Sequence, residues 1–287
     1  MVEVTTCPVC GGADLAPCTA SRPEARFLHH AQVRCRACDL LMTQPRATSG
    51  DIERYYRDHY YGEQWPDAEG AFRFNAASYE QYEWPLLQDL WSAWPPRAGG
   101  RVLEVGCGYG AMLPLLAGAG YGVSGCDPSE DAVRFCRDRG FEVVQGGLPG
   151  ALLSPPYTLT LSQHVIEHVK DPRGFVASLA TLTEPGGVVA LVTEDAWNSQ
   201  WVFERAVARV TGRQPGYHTS RDHTCVFSAS HLHRLLREAG CDEVRTHTFS
   251  YVAAESLHWK AYKGTYRTFV RLTGHGDFLM AAGRVRP

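Results

Sequence analysis

Three closely spaced glycines follow an apolar run in the middle of the chain, and they constrain the fold more than any other feature. Gly106, Gly108 and Gly110 come after RVLEV, which predicts a buried strand ending at Val105, and residues 109–119 predict a helix. Glycine is needed where the backbone turns tightly and lies directly against a ligand. A strand that enters a helix through such a turn is typical of open α/β sheets.

Short apolar runs alternate with helix-like segments after the glycine turn. GVSGC, FEVVQ, YTLTLSQ and VVALVTE predict further strands, and residues 129–139, 170–183 and 228–240 predict helices. DEVRTHTFSYV and DFLMAAGRV predict two late strands that complete the sheet. The alternation indicates βαβ units and a parallel sheet, and therefore an α/β fold of the Rossmann-like kind, with seven strands and helices on both faces.

The residue composition changes along the chain and divides it into three regions. Residues 1–46 are rich in cysteine and turn residues and predict a small module, whereas residues 47–98 are polar and aromatic and predict a helical linker or lid. Residues 99–287 predict the α/β domain, with an insertion at about 195–227. In the second region, apolar residues at three-to-four spacing predict an amphipathic helix: Tyr79, Tyr82, Leu86, Leu87, Leu90 and Trp91. The lid tyrosines expected near a ligand are Tyr55, Tyr56, Tyr60 and Tyr61.

Two acidic residues sharpen what the glycine turn indicates. Glu104 lies inside the strand before the turn, and Asp127 ends the next strand, in GCDPSEDAV. A carboxylate at the end of that strand can accept hydrogen bonds from both hydroxyls of a ribose. A nicotinamide-binding dehydrogenase would have similar elements, but its G-x-G-x-x-G pattern places the third glycine one residue later. The spacing therefore disfavours a dehydrogenase.

At these residues the chain resembles class I S-adenosylmethionine-dependent methyltransferases. Four segments carry the resemblance in order within residues 101–194: LEVGCGYG, GCDPS, LSQHVIEHVKDP and LTEPGGVVALVTE. The resemblance implies S-adenosylmethionine as cofactor, with the glycine turn at its methionine part, Asp127 at the ribose and Glu104 toward the methionine end. VVQGGLP has no acid, so backbone groups or water are expected to contact the adenine. The cofactor-binding residues expected on this basis are Glu104, Gly106, Cys107, Gly108, Gly110, Asp127, Pro128, Gly147, Leu148, Ser162 and Gln163.

The segment from His164 to His168 reads H-x-x-E-H. On a helix this pattern can be a zinc-protease motif, but here it directly follows a predicted strand, which disfavours that interpretation. It also resembles the E-x-x-E-H element with which some quinone-pathway O-methyltransferases bind a divalent metal; His164 replaces the first glutamate, so Mg²⁺ dependence is not predicted. At the end of a central strand, His164 could act as a general base toward an acceptor hydroxyl. The alternative is that His164 packs structurally while Glu167 and His168 brace the next helix.

The insertion at 195–227 lies where open α/β sheets place ligand-binding loops, and it predicts a substrate lid. The residues HTCVFS resemble an "H…FS" element of small-molecule methyltransferases. His223 and His218 are therefore further candidates for the base, beside His164. For the aromatic residues of the insertion, packing on the main domain is the alternative to contact with a substrate.

Two C-x-x-C pairs stand near the N-terminus, Cys7 with Cys10 and Cys35 with Cys38. Four thiolates in two knuckles suit tetrahedral Zn²⁺ closed to other ligands. We predict a structural zinc that stabilises a module too small to fold alone. The remaining six of the ten cysteines lie scattered among apolar segments, where reduced core cysteines are expected.

The charge and hydropathy of the chain limit its partners. A formal net charge of −3 lacks the positive field that nonspecific nucleic-acid binding needs, so a nucleic-acid partner is disfavoured. We find no apolar run of about 18 residues and no leader pattern, and we expect no membrane partner and a cytoplasmic location.

These features together resemble a bacterial small-molecule methyltransferase of class I with an N-terminal zinc-binding knuckle. The expected reaction is methyl transfer from S-adenosylmethionine to a small-molecule acceptor, at an oxygen of a natural-product or sugar-derived intermediate. One alternative is C- or N-methylation of a sugar nucleotide or a carrier-bound substrate. A different alternative is a cofactor-binding protein whose zinc module docks a partner without turnover.

Overall fold

A computed structural model describes residues 3–18, 31–44, 48–60, 67–197, 210, 223–249 and 276–287. Its strands are β1 (Leu15–Cys18), β2 (Ala31–Cys35), β3 (Leu41–Gln44), β4 (Arg101–Val105), β5 (Gly122–Asp127), β6 (Glu142–Gln145), β7 (Tyr157–Gln163), β8 (Thr183–Glu194), β9 (Cys225–Val226), β10 (Cys241–Phe249) and β11 (Phe278–Val285). Its α-helices are α1 (Ser49–Tyr55), α2 (Ala68–Ser78), α3 (Trp84–Ala93), α4 (Leu113–Gly118), α5 (Glu130–Asp138), α6 (Pro172–Leu182) and α7 (Ala229–Glu238). Within these ranges no helix is long and apolar enough to span a membrane.

Seven of the strands form the central sheet, in the order β10-β11-β8-β7-β4-β5-β6. The predicted α/β fold with a seven-stranded sheet is thus confirmed. The direction of the late strands was not predicted: β11 runs antiparallel to both β8 and β10, so the sheet is mixed. Backbone groups pair in either direction, and apolar patterning does not record strand direction, so the sequence contained no signal for this reversal.

Side chains of the sheet alternate between two hydrophobic clusters, one on each face. Leu103 of β4 belongs to a cluster with buried residues of α6 and α7, whereas its neighbour Val102 belongs to a cluster with α3 and α4. On the first face the helices contribute Val176, Leu179, Leu232 and Leu235, and on the second they contribute Leu87, Leu90, Trp91 and Leu116. Each such side chain stabilises the fold by roughly 1.5–3 kcal/mol on burial. Helices α6 and α7 therefore cover one face of the sheet, and α3 and α4 cover the other.

The amphipathic segment before the sheet is interrupted, in contrast to the single helix expected. A π-helical turn, Tyr79–Glu83, joins α2 to α3. Pro85 stands in the first turn of α3, where its missing N–H is tolerated. The predicted apolar face is nevertheless present, because Leu87, Leu90 and Trp91 are buried. The π-helical turn also holds Glu83, which has no exposed surface.

Two further boundaries differ from the expectation. The helix expected from residue 109 begins only at Leu113, because a longer irregular turn follows the glycines. The insertion, expected to be irregular, contains the short strand β9. Residues 198–209 and 211–222, with His218 among them, lie outside the described residues. The predicted helix at 228–240 is confirmed as α7, with Ser228 as its N-cap.

A second sheet lies at the N-terminus, in the antiparallel order β1-β2-β3-β9. Three of its strands come from residues 1–46, and the fourth, β9, comes from the segment that precedes α7. Cys7, Val9, Leu40 and Met42 share one hydrophobic cluster with residues of α6 and α7. The N-terminal segment therefore packs on the α/β domain through a common sheet and a common core.

Candidate active site

The glycine turn lies at the point where the strand order reverses. β4 pairs with β5 on one side and with β7 on the other. Open α/β sheets bind ligands beyond the carboxyl ends of the strands at such a point. A cavity of about 840 Å³ opens there. This volume lies within the usual range for small-molecule sites.

The turn itself requires glycine. Gly106, Gly108 and Gly110 have φ angles of +74°, +51° and +74°, which most other residues avoid. A Cβ on Gly106 would lie 2.3 Å from Cγ2 of Val165. The N–H groups of Gly106 and Cys107 donate to the carbonyl of Cys126 at 2.8 and 3.1 Å, which ties the turn to β5. The backbone of the turn is thus fixed at the cavity, and it carries no side chains at the three glycines that would fill the space.

Asp127, at the end of β5, is oriented by the backbone around it. Its Oδ2 accepts a hydrogen bond from Gly108 N, and its Oδ1 accepts one from Ser129 N, both at 2.9 Å. The residue is 3% exposed and lines the cavity. A carboxylate oxygen can accept more than one hydrogen bond. Asp127 is therefore a fixed carboxylate that suits the paired hydroxyls of a ribose.

Glu104 and Gln163 form a buried polar pair beside the turn. Gln163 Nε2 donates to Glu104 Oε1 at 3.0 Å, while Glu104 Oε2 and Gln163 Oε1 accept no hydrogen bond from the described residues. Burial raises the pKa of Glu104 to about 8, against the opposing effect of the Gln163 hydrogen bond. Burying these two oxygens without hydrogen-bond donors destabilises the protein, and a ligand that donates hydrogen bonds to them, such as an ammonium group, would remove that cost. The pair fits the ammonium group of a bound S-adenosylmethionine.

The expected cofactor residues lie either on the cavity wall or directly behind it. On the wall are Gly106, Cys107, Gly108, Asp127, Pro128, Gly147, Leu148 and Gln163. Three further residues lie directly behind the wall: Glu104, Gly110 and Ser162. Glu104 accepts a hydrogen bond from Gln163, which lines the cavity, and Gly110 belongs to the glycine turn. The Ser162 hydroxyl donates to Val105 O at 3.0 Å. From the helical region, Tyr56, Tyr60 and Tyr79 also line the cavity, and Tyr55 contacts the rings of Tyr56 and Tyr60. Tyr61 lies outside the described residues.

His164 lines the cavity between two buried carboxyl groups. Its φ of +53° is unusual for a residue other than glycine. Its Nε2 lies 3.8 Å from Glu83 Oε1, and its Nδ1 lies 3.7 Å from Glu167 Oε1. Burial alone lowers the pKa of His164, but the contacts with Glu167 and Glu83 outweigh burial and raise it to about 10. The two carboxyl groups therefore favour the protonated form of His164.

The other two conspicuous histidines meet at Glu167. A 3-10 turn, Ile166–His168, follows β7, so the H-x-x-E-H segment is not the helix that a zinc-protease motif requires. Ligand atoms of Glu167, His168 and His223 lie within 4.8 Å of one another, close enough to hold a metal ion. His223 is 7% exposed, and its Nδ1 lies 3.2 Å from Glu194 Oε2. We name Glu167, His168 and His223 the acceptor cluster.

Within the acceptor cluster only His168 lines the cavity. Its ring meets the ring of His223 edge-on at 4.8 Å and that of Tyr56 at 5.4 Å. Burial opposes ionisation of Glu167, but the contact with His164 and the nearby imidazoles of His168 and His223 outweigh burial and lower the pKa of Glu167 to about 2. The cluster thus combines a carboxylate with two imidazoles, one from the turn after β7 and one from the segment before β9.

Sequence reasoning missed two acidic residues of this region, Glu83 and Glu194. The signal for Glu83 was its spacing, because it precedes Leu87 and Leu90 by four and seven residues on the apolar side of the helical segment. Glu194 ends β8, where ligand-facing residues of an α/β sheet concentrate. Only the fold shows that Glu194 contacts His223.

The four N-terminal cysteines lie together. Cys7 and Cys38 have sulfur atoms 3.6 Å apart, Cys10 and Cys35 have theirs 3.4 Å apart, and all four lie within 4.8 Å of one another. Tetrahedral coordination with Zn–S bonds of about 2.3 Å separates sulfurs by about 3.8 Å. Gly12 N donates to Cys10 Sγ at 3.4 Å, a bond that favours the thiolate. The group is a candidate zinc site.

Comparison with known proteins agrees with this geometry. The methyltransferase-domain family matches residues 76–246. The chain is 31% identical over 157 residues to a ubiquinone biosynthesis O-methyltransferase of Thiobacillus denitrificans, covering 51% of this chain and 66% of the relative. It is 28% identical over 202 residues to the protein of the same name from Methylococcus capsulatus, covering 67% and 81%.

Solved structures share the fold at low sequence identity. The magnesium protoporphyrin IX methyltransferase of Synechocystis PCC 6803, with bound S-adenosylhomocysteine, matches with a TM-score of 0.52 and 15% identity over 83% of this chain and 100% of that chain. A phosphoethanolamine N-methyltransferase of Haemonchus contortus, in complex with S-adenosyl-L-methionine, matches with a TM-score of 0.53 and 13% identity over 86% and 63%. The chain therefore belongs to the methyltransferase-domain family and is an S-adenosylmethionine-dependent methyltransferase.

Proposed function

We propose that the enzyme methylates a hydroxyl oxygen of a small acceptor, and that the acceptor cluster takes up the hydroxyl proton. The observation that carries the proposal is the position of His168, which shares one cavity with the glycine turn and is backed by Glu167 and His223. The relatives named above are O-methyltransferases by name. This supports oxygen as the methylated atom.

The chain would hold the cofactor from three directions. The glycine turn leaves room for it, Asp127 would bind the ribose hydroxyls, and Glu104 with Gln163 would bind the ammonium group. The backbone around Gly147 and Leu148 would contact the adenine. When bound, S-adenosylmethionine supplies a methyl group activated by a positively charged sulfur. The task left to the protein is alignment of the acceptor and removal of its proton.

We propose that His168 is the base that accepts the proton of the acceptor hydroxyl. Glu83 and Glu167 lie on either side of His164 and raise its pKa, so His164 suits an electrostatic role between them better than the role of a base. His223 is turned toward Glu194 and supports His168 from behind. When the acceptor oxygen takes the methyl group from bound S-adenosylmethionine, the imidazole of His168 would accept the hydroxyl proton.

The lining of the cavity favours a flat, hydroxylated acceptor. Tyr56, Tyr60, Tyr79 and Phe175 contribute aromatic side chains to the wall. Such rings pack against planar or ring-shaped ligands. A phenolic natural product and a hydroxylated sugar derivative both fit this description. Of the two, the aromatic side chains favour the phenol as the acceptor. Residues 1–46 form the zinc module in this proposal, residues 47–98 the lid, and residues 99–287 the catalytic domain.

The decisive experiment offers methyl-labelled S-adenosylmethionine to a panel of phenols, catechols, sugars, amines and thiols. We expect transfer to a hydroxyl compound, and His168→Asn is expected to lower kcat by about 100-fold or more. His233→Asn, on the exposed face of α7, is the matched control and should leave kcat unchanged. Tight binding of S-adenosylhomocysteine without transfer to any acceptor would instead support a docking protein.

The acceptor cluster could also hold a divalent cation, since its ligand atoms lie within 4.8 Å of one another. A cation there would lower the pKa of a coordinated hydroxyl and replace the base. Metal analysis of the purified protein separates the two mechanisms. One zinc per chain, lost in Cys38→Ser, supports His168 as base. A second metal ion that is lost in His223→Asn contradicts it.

A further inference from the structure

The N-terminal module is joined to the acceptor cluster by backbone pairing. β3 of the module pairs antiparallel with β9, with Leu41 opposite Val226 and Met42 opposite Cys225. Thr43 N extends this pairing by donating to Thr224 O at 3.1 Å. β9 follows His223 in the chain after a single residue, Thr224. The strand that holds His223 in place is therefore completed by the cysteine module.

Thr224 connects this pairing to the other half of the acceptor cluster. Its N–H donates to Glu167 O at 2.7 Å. Its hydroxyl lies 2.9 Å from Val169 O and 3.0 Å from Glu167 O. The turn that carries Glu167 and His168 is thus bound on its backbone by the residue next to His223. Thr224 therefore links His223 to the turn that carries Glu167 and His168, and its carbonyl is bonded to Thr43 of β3. We call Thr224 the anchor of the acceptor cluster.

Two more contacts fix the module against the helices behind the cluster. Arg173 Nε, on α6, donates to Val9 O at 2.9 Å. His231 Nε2, on α7, donates to Cys38 O at 2.6 Å, while its Nδ1 accepts from Ser228 N at 3.0 Å. Val9 and Cys38 belong to the two cysteine knuckles. The knuckles therefore control where β3 lies relative to α6 and α7.

Most of the cofactor half of the cavity is built from other elements; the exception is Gln163, which ends β7 shortly before the turn that carries Glu167 and His168. The glycine turn is bonded to Cys126, and Asp127 is bonded to Gly108 and Ser129, all within β4, β5 and the start of α5. Glu104 and Gln163 bond to each other. A change in the module can therefore reach the acceptor cluster while leaving these contacts in place.

We propose that the four-cysteine module is a positioning element for methyl transfer: through β3, β9 and Thr224 it sets the geometry of Glu167, His168 and His223. This inference rests on the proposed function of the acceptor cluster. Zinc bound by Cys7, Cys10, Cys35 and Cys38 would hold the knuckles, and loss of zinc would slow methyl transfer without weakening cofactor binding. The module thereby makes turnover dependent on its metal.

The first test changes the anchor by one group. Thr224→Val keeps the shape of the side chain and removes its hydroxyl, whereas Thr224→Ser keeps the hydroxyl. We expect Thr224→Val to lower kcat about 10- to 100-fold, with the dissociation constant of S-adenosylhomocysteine changed less than about twofold, and Thr224→Ser to restore most of the rate. Thr160→Val is the matched control, because Thr160 Oγ1 lies 2.8 Å from Thr183 Oγ1 in the core away from the cavity. It should lower thermal stability without a comparable loss of kcat.

An unchanged kcat in Thr224→Val would overturn the proposal. A parallel loss of kcat and of S-adenosylhomocysteine affinity would overturn it as well, because the effect would then be general destabilisation. These results leave the assignment of His168 standing, since His168→Asn tests that separately.

The second test has a readout that does not depend on knowing the acceptor. Zinc is removed from the full chain with a chelator and restored, and amide hydrogen exchange is followed by mass spectrometry. We expect faster exchange at residues 223–227 and 166–169 after removal, unchanged exchange at residues 104–110, and full reversal when Zn²⁺ is added. Equal acceleration in both regions, or none at 223–227, would contradict a positioning role.

Discussion

The two sides of the cavity are built in opposite ways. Most of the cofactor side comes from one stretch of chain, the β4–turn–β5 unit, in which Gly106, Gly108 and Asp127 are held by hydrogen bonds within the unit and to Ser129 directly after it. Gly147 and Leu148 after β6 and Gln163 at the end of β7 complete it. The acceptor side joins residues from four separate places: the π-helical turn, the end of β7, the end of β8 and the segment before β9. Local sequence patterns can specify the first side, whereas only tertiary packing assembles the second.

This difference separates what each side can do chemically. A cofactor that is the same across a family needs the same local contacts, so a short strand–turn–strand unit suffices. An acceptor site made from distant segments can change one element at a time, and here β9 ties it to the cysteine module. We therefore expect mutations on the cofactor side to act on binding and those on the acceptor side to act on rate.

The largest effect is expected from Gly106→Ala. The added Cβ would lie 2.3 Å from Val165 Cγ2 at a φ of +74°, so the turn must move. Affinity for S-adenosylhomocysteine, measured by calorimetry, should fall by about 100-fold or more. Gly120→Ala is the matched control, since its φ of +88° imposes similar strain but no atom of the described residues lies within 4 Å of the added Cβ. If both variants bind equally well, the turn does not lie against the ligand.

A smaller loss is expected from Asp127→Asn. The amide keeps the shape but loses the charge, and one of its two polar atoms can no longer accept from Gly108 N or Ser129 N. We expect affinity for S-adenosylhomocysteine to fall about 10- to 100-fold, the range of a charge-assisted hydrogen bond. Asp138→Asn, at the exposed end of α5, serves as control. An unchanged affinity would remove Asp127 from the ribose site.

The smallest effect is a pH dependence of cofactor binding. Burial raises the pKa of Glu104 to about 8, and an ammonium group bound beside it favours the ionised form. Binding at pH 7 should therefore release a proton, and affinity should rise about tenfold between pH 6 and pH 7, a range in which the amino group of the ligand stays protonated. Calorimetry in two buffers of different ionisation enthalpy measures the proton. Glu104→Gln should abolish the part of the release that belongs to Glu104; an unchanged release would show that the proton comes from another group.

The sequence was informative where chemistry is local. The glycine turn, the acid at Asp127 and the order of strands and helices could all be predicted, because each depends on propensities and spacings over a few residues. The two C-x-x-C pairs predicted that distant cysteines meet, and the structure brings them within 4.8 Å of one another. Their metal and the roles of the cofactor residues stay predictions.

The sequence was uninformative where packing decides. The reversal of β11 depends on how the chain returns after β10, which apolar alternation does not record. The contact between His223 and Glu194 and the pairing of β3 with β9 join residues far apart in the chain. His164 was a reasonable base by position, but its two carboxyl neighbours, one of them Glu83 from the helical segment, could only be seen in the fold.

The arrangement of the cavity is tested most directly by a crystal structure of the S-adenosylhomocysteine complex. We predict that the ribose hydroxyls contact Asp127, that the amino group lies at Glu104 and Gln163, and that the sulfur faces His168 across open space for an acceptor. A nucleoside bound with its sulfur turned away from His168, toward a wall without the acceptor cluster, would contradict the account.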